Sequence, residues 1–465
     1  MSILLCLPPG RDQTGAFFYV NENDFSGIGR KQMSARILIV LFILLSIAYN
    51  AVLSFVAQKQ RQKPLPFSVS DVYDPARYQK FLAYKADYRR LSYLFQLLGL
   101  LVELPLLFSA LYPAAERLCG GNPYLIALLT YVIFLIPETI LSGIRSGIST
   151  FHIEEKYGMN KKTVREFIKD FCIETVLEIL IMVLLTLFIT FVGEHMDAWT
   201  GHFSIGLPGA AKIALILFAA FFLIVVLLNL ISYQALRLQY HFTPMPEGPL
   251  LDKILKLQEG SKKKVKAVYI YDESRKSTSK NAFLLKLFWH REFGIADNFI
   301  NENEERELLA VLSHEIGHLK HRKNWRNYLS YLSIVLLFLV IIGLIAWPSP
   351  VLRFVDWVNL SFGISVTNYT MILNVFSALL GPVSILFSLF HNSRSRAEEY
   401  EADREAVSNG YGQELIATFK RLSNDELVDV NPHPLIETLE YDHPGMANRI
   451  AAIQREMASR RQMAG

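Results

Sequence analysis

His314 and His318 stand four residues apart in the run ELLAVLSHEIGHLKHR. On an α-helix that spacing puts both imidazoles on one face, where they can grip one ion. Glu315 then sits beside them, placed to take a proton from a water the ion has acidified. The pattern, HExxH, is short enough to arise by chance on a solvated polar helix face, so its surroundings have to decide. A catalytic zinc wants a third protein ligand and an open position. The metzincin arrangement would put Gly three residues after the second His and a His three beyond that, but those positions hold His321 and Asn324. His321 therefore reads as a flanking basic residue. A carboxylate on a second helix is the other source, and SRAEEYEADREAV supplies one. Glu399 and Asp403 lie four apart on one face, so Glu399 can ligate while Asp403 orients an imidazole from behind. Taken alone, such an acidic run is more often a solvated helix.

The elements that must position these residues belong to a membrane protein. The chain has 465 residues, 52% hydrophobic and only 19% charged, with a mean hydropathy of +0.26, too apolar for an ordinary soluble enzyme of this length. Cys6, Cys119 and Cys172 are far apart and form neither a disulfide framework nor a CxxC pair, so a metal must be held by His and carboxylates. The net charge of +4 is mild and its basic residues are scattered, which argues against a nucleic-acid partner.

Apolar runs of about 20 residues, enough to cross a bilayer, lie near 37–57, 91–112, 123–142, 171–193, 210–231, 328–347 and 369–390. They predict seven transmembrane helices. The stretch 1–35 is polar and lacks the pattern of a removable signal peptide. Positive charge alternates between connections: Lys59, Arg61, Lys63, Arg77, Lys80, Lys85, Arg89 and Arg90 crowd 58–90, whereas 194–209 holds no Lys or Arg. The loops 143–170 and 232–327 and the tail from 391 are also basic, which places the loop 232–327 and the tail in the cytoplasm and the N-terminus opposite. Arg30, Lys31 and Arg36 run against this assignment but are outnumbered. Spans six and seven then form a hairpin that returns SRAEEYEAD to the face that carries HEIGH, a condition a chance motif has no reason to meet.

Among the acids inside apolar runs, Glu103 and Glu178 are candidates to line a polar cavity, and Glu174 and Glu138 to sit at headgroup level. Pro105 and Pro382 should kink their helices. From 264 to 300, VKAVYIYD, NAFLLKLF and REFGIADNFI read as two or three strands. Asn301 or Asn303 then caps the metal-site helix, whose acids open it and whose Lys320, His321 and Arg322 close it, matching the helix dipole.

These residues resemble the type I CAAX prenyl endopeptidases, membrane-integral gluzincins, over nearly the whole chain after residue 35. FHIEEKYGMNKKT at 151–163 looks like a signature of that family, though its spacing suggests no physical role. KNAFLLKLF is similar to its Asn-Ala-aromatic strand, ELLAVLSHEIGHLKH to its metal helix, SRAEEYEAD to its third-ligand helix and YDHPGMANRIAAI to its C-terminal motif. The resemblance implies one zinc per chain on His314, His318 and Glu399, catalysis by Glu315, and Asp403 behind the ligands. It implies that Asn281, on an edge strand, pairs with an extended substrate backbone, and that His443 and Arg449 contact the substrate or the tetrahedral intermediate. His433-Pro434 is a second His-Pro pair, but only His443 has an Arg six residues later. Seven helices around a water-filled chamber are also implied.

The expected architecture is thus an α-helical polytopic membrane protein with a small α+β zincin-like cytoplasmic part. Its divisions are a tail (1–35), spans one to five (36–231), a cytoplasmic segment (232–327), spans six and seven (328–390) and the C-terminal part of the metalloprotease (391–465). The expected activity is zinc-dependent peptide hydrolysis, and the resemblance supplies the substrate: a prenylated protein ending in CaaX, cut after the modified Cys. Membrane lipids are expected neighbours, and no obligate protein partner is evident. The compartment expected is the endoplasmic reticulum or nuclear membrane of a eukaryote, or the inner membrane of a bacterium. A quality-control protease without prenyl specificity would use the same site, and another divalent ion could occupy it when zinc is scarce. A transporter would predict inverted repeats and matched Gly/Pro breaks, which the sequence does not show.

Overall fold

The computed structural model describes residues 34–200, 206–259, 264–287, 290–302, 304–320 and 325–464. Expectations that fall on the N-terminal tail, Asn303, His321, Arg322 and Asn324 lie outside the described residues. Helix α1 (Ala35–Arg61) starts at Ser34, whose hydroxyl accepts the Ile37 N–H. Helix α2 (Pro75–Phe108) starts at Asp74 with Pro75 in the first turn, the residue types that satisfy or lack the free N–H groups of a helix start. The run expected to span 91–112 stops being one helix at Phe108: Ser109 is extended, and Leu111–Leu118 form a separate short helix, α3. Helix α4 (Pro123–Ile148) is capped by Asn122 and continues through a π-helical turn, Ser149–Glu154, to Tyr157. Helices α5 (Val164–Thr200) and α6 (Gly206–Gln239) follow. Many large apolar side chains on these helices are exposed, among them Leu101, Leu215 and Ile216. A folded chain leaves so much apolar surface bare only where lipid or a partner covers it.

Between α6 and the metal-site helix lies a four-stranded sheet made of β1 (Phe242–Pro244), β2 (Ala267–Tyr271), β3 (Ala282–Leu287) and β4 (His290–Ala296), in the order β1-β2-β4-β3. A short helix, α7 (Pro249–Leu257), separates β1 from β2. β2 and β4 are parallel, and the other pairs antiparallel. Three strands fall within 264–300 as predicted. β1 was not foreseen, and DNFI, assigned to the last strand, is instead the start of helix α8 (Asp297–Glu302). Asn301 is therefore inside a helix and caps nothing. The metal-site helix α9 (Glu305–Lys320) lies over the sheet, with Leu308, Leu312 and Ile316 packed on Phe293, Ile295 and Val268.

Helix α10 (Trp325–Ala346) turns by 80° into α11 (Ser349–Phe362). Helix α12 (Tyr369–Ser408) bends by 59° between Gly381 and Ser384 and runs on without a break into SRAEEYEAD. Helices α13 (Gly412–Asp425), α14 (Pro434–Glu440) and α15 (Met446–Ala464) complete the fold. Five of the described helices are long and apolar enough to cross a membrane, and up to seven spans result if each bent pair counts as one.

The loop after α4 acquires the physical role its sequence did not suggest. Glu154 accepts a hydrogen bond from Tyr88 (2.9 Å), and Tyr157 and Lys156 both reach Asp87 (2.9 and 2.7 Å), which fastens the loop to α2. Gly158 turns the chain with φ +78°, where a side chain would be strained. Lys161 then donates its N–H to Lys276 O, and Thr278 returns an N–H to Met159 O. Thr163 and Glu166 cap α5 reciprocally. The motif is a strut between membrane helices and sheet, completed by a buried ion pair of Lys276 with Asp170 (2.8 Å), to which Lys162 adds a second cation at 3.0 Å.

Glu103 lines a cavity of about 590 Å³ between α1, α2, α4 and α12. Glu138, expected at headgroup level, lines the same cavity. Glu178 is exposed and is not among its lining residues, and Glu174 accepts a hydrogen bond from Gln239 (3.2 Å).

Candidate metal centre

Helices α9 and α12 meet at glycine. A Cβ on Gly317 would stand 2.6 Å from the Ala402 Cα, so the two backbones touch only because residue 317 has no side chain. Sequence reasoning passed over Gly317 because it occupies a free position of HExxH. The signal that could have found it is its placement one residue before His318, on the side of α9 that must face the third ligand.

This approach gathers His314, His318 and Glu399, which each offer a ligand atom within 4.8 Å of the others. Glu399 Oε1 is 3.2 Å from His318 Nε2, and Glu399 Oε2 is 3.5 Å from His314 Nε2. The two rings stand nearly perpendicular, 4.9 Å apart. Behind them Asp403 Oδ1 lies 2.9 Å from His314 Nδ1, the nitrogen that does not face Glu399 most closely. Arg449, on α15, forks onto Asp403 with Nε at 3.0 Å and one terminal nitrogen at 2.6 Å. Its other terminal nitrogen is 3.2 Å from Glu399 Oε2, and its plane lies over the Phe419 ring at 4.3 Å. His443 reaches the cluster from the loop before α15, with Nε2 3.4 Å from Glu399 Oε1 and Nδ1 2.8 Å from Asp442. Its side chain is 56% exposed, whereas that of Arg449 is 7% exposed. His433 is elsewhere: its ring accepts the Leu435 N–H and starts α14. Asn281 is exposed, one residue before edge strand β3. Its carbonyl is already engaged by the Ala296 N–H (2.9 Å), which leaves its N–H and side chain for any further partner.

The electrostatics suit a cation. Burial pushes Glu399 toward neutrality, but His314, His318 and Arg449 outweigh it and hold the carboxyl far below its ordinary range. Asp403 is likewise held low against its burial, chiefly by Arg449. For His314, burial disfavours the charged ring, yet hydrogen bonding to Asp403 and Glu399 prevails and its pKa is pushed up to about 9. The site thus favours positive charge beside Glu399 and Asp403. Glu399 Oε2 is buried, and among the described residues it has the Arg449 ion pair at 3.2 Å and the His314 approach at 3.5 Å but no well-aligned hydrogen bond. A buried carboxylate oxygen is costly to leave without a donor. Two imidazoles and such a carboxylate, with Asp403 fixing one ring, form a donor set that zinc accepts.

A polytopic helical protein with a small sheet beside a His-Glu-His cluster is the class these observations define. The sequence matches the family model "CAAX prenyl protease N-terminal, five membrane helices" over residues 55–233 and the model "Peptidase family M48" over residues 246–457. It is 26% identical over 404 residues to the CAAX prenyl protease 1 homolog of Arabidopsis thaliana, covering 84% of this chain and 91% of that one. It is 27% identical over 418 residues to the probable CAAX prenyl protease 1 of Schizosaccharomyces pombe, covering 84% and 82%. The fold is that of the crystal structure of S. mikatae Ste24p, with a TM-score of 0.70 at 23% identity over 91% of this chain and all of the other. The chain belongs to the type I CAAX prenyl protease family of M48 peptidases, and is a metallopeptidase and an integral multi-pass membrane protein.

Proposed function

We infer that this chain hydrolyses prenylated proteins ending in CaaX, with one zinc on His314, His318 and Glu399. The observation that carries the reading is the cluster itself, two imidazoles and a buried carboxylate whose ligand atoms lie within 4.8 Å of one another. Zinc bound there would supply Lewis acidity, lowering the pKa of a water to about 7 and polarising a peptide carbonyl. Glu315, half-buried beside the ligands, takes the water's proton on its carboxylate and delivers it to the leaving amine. His443, exposed at the rim, is the group able to donate to the developing oxyanion. Arg449 is buried behind the ligands, so it acts by positioning Asp403 and Glu399 and balancing their charge. Asn281 offers its N–H and side chain beside edge strand β3, where an extended substrate can add as a further strand.

The basic connections favour a cytoplasmic catalytic segment with the N-terminus opposite. The family's eukaryotic relatives favour the endoplasmic reticulum or nuclear membrane over a bacterial inner membrane. The test is cleavage of a farnesylated CaaX peptide against its unmodified twin by detergent-purified protein, with and without chelator. Chelator-sensitive cleavage that prefers the farnesylated peptide is expected. Equal cleavage of both would overturn the prenyl substrate in favour of quality control.

A further inference from the structure

A second cavity, of about 580 Å³, opens between α1, α2 and α4. Four cations line it, Arg61, Lys85, Arg89 and Arg145, and no Asp or Glu does. Arg61 closes α1 and pairs with Asp429 (2.7 Å). The other three have no carboxylate partner among the described residues. The Lys85 ammonium lies over the Phe81 and Tyr84 rings, and Arg145 donates to the Ser92 hydroxyl at 3.4 Å. Four cations set against one paired carboxylate, Asp429, leave a net positive group whose mutual repulsion is relieved when an anion enters. Asn50, Ser54 and Gln96 add neutral donors to the same wall.

The cavity has an apolar neighbour. Phe95 and Arg145 line both it and the 590 Å³ cavity, whose walls include Ile39, Leu106 and Phe134. Glu103 and Glu138 line only the apolar one, so an anion is drawn to the basic side and repelled from the other. Arg61 marks the end of a membrane span, which puts the cations at headgroup level, and basic pockets between spans at that level take lipid phosphates.

From this geometry we propose that the chain binds one phosphate-bearing amphiphile, an anionic membrane phospholipid, with its phosphate among Lys85, Arg89 and Arg145 and an acyl chain passing Phe95. The site shares no lining residue with the metal cluster and does not rest on the zinc chemistry.

The test is native mass spectrometry of the full chain in non-ionic detergent, titrated with phosphatidic acid, phosphatidylcholine or inorganic phosphate. One phosphatidic acid per chain should be retained in preference to phosphatidylcholine. Each interfacial cation contributes roughly fivefold, so Lys85→Gln with Arg89→Gln should weaken retention by about thirtyfold. Lys85→Arg with Arg89→Lys should keep it within a few-fold. Unchanged retention in the Gln pair, or equal retention of phosphatidylcholine, would overturn the proposal. Inorganic phosphate that displaces the lipid at matched concentration would overturn the lipid as source and assign the site to free phosphate. Should the Gln pair fail to fold, photo-crosslinking of a diazirine phosphatidic acid to the wild-type chain decides. Labels on α1, α2 or α4 near these residues support the site, and labels confined to other helices refute it.

Discussion

Gly317 and Ala402 are in backbone contact: a methyl on residue 317 would approach the Ala402 Cα to 2.6 Å. The contact sets the separation of α9 and α12, and with it the distance from His318 to Glu399. Because the obstacle is backbone, Gly317→Ala cannot be absorbed by turning a side chain, and overpacking of this kind costs about 1–3 kcal/mol. The variant should melt at a lower temperature and bind zinc at least tenfold more weakly. A chelator competition titration checks the second point, and wild-type affinity would contradict it.

Asp403 faces both His314 and Arg449. Asp403→Asn keeps the shape but removes the charge that fixes the ring and anchors the guanidinium. Loss of a group that orients a metal ligand typically costs 10- to 100-fold in affinity or activity. The same competition titration should show that loss, alongside a fall in peptide turnover.

Glu426 is the carboxylate that holds the segment before Asn281: it accepts the Ser279 hydroxyl at 2.8 Å and the Lys280 N–H at 3.4 Å. Burial raises its pKa despite these donors, and Asp425 adds to the rise. The folded state therefore holds a proton that the unfolded state releases near the ordinary value of 4.5. Its contribution to stability is fully present below 4.5 and is lost as pH rises through the folded pKa. Glu426→Gln mimics the protonated form, so its melting temperature relative to wild type should rise between pH 4.5 and pH 7.5. Parallel thermal scans measure this, and a constant difference would refute it.

Lys276 and Asp170 tie the sheet to α5 through a buried ion pair. Removing one partner of such a pair leaves an uncompensated charge, at a cost of about 3–5 kcal/mol. Asp170→Asn strands Lys276 and Lys162 together and should be the more damaging change. Lys276→Met leaves Lys162 within 3.0 Å of Asp170 and should be milder. Thermal unfolding of the two variants in detergent gives the order.

The grouping of His314, His318 and Glu399 was legible because its geometry is local: i, i+4 spacing on one helix, repeated on a second, with a hairpin to bring the two together. Glu399 could be read for the same reason that α12 carries it, a span that continues as a polar helix. What the sequence hid was relational. β1 has three residues ending in Pro244 and reads as a turn, and it becomes a strand only because β2 lies beside it. FHIEEKYGMNKKT makes its contacts with Asp87, Tyr88 and Ser277, residues far off in the chain. Arg449 could be found by its spacing from His443, but not its burial against Asp403 and Glu399.

The central claim is that Glu315 works on a metal held by His314, His318 and Glu399. Zinc content and peptide cleavage measured together on wild type and Glu315→Gln test it most directly. The account predicts one zinc per chain in both proteins and at least a thousandfold loss of cleavage in the variant, on the order of 4 kcal/mol of barrier. Wild-type protein without metal, or a variant that cleaves as well as wild type, would contradict it.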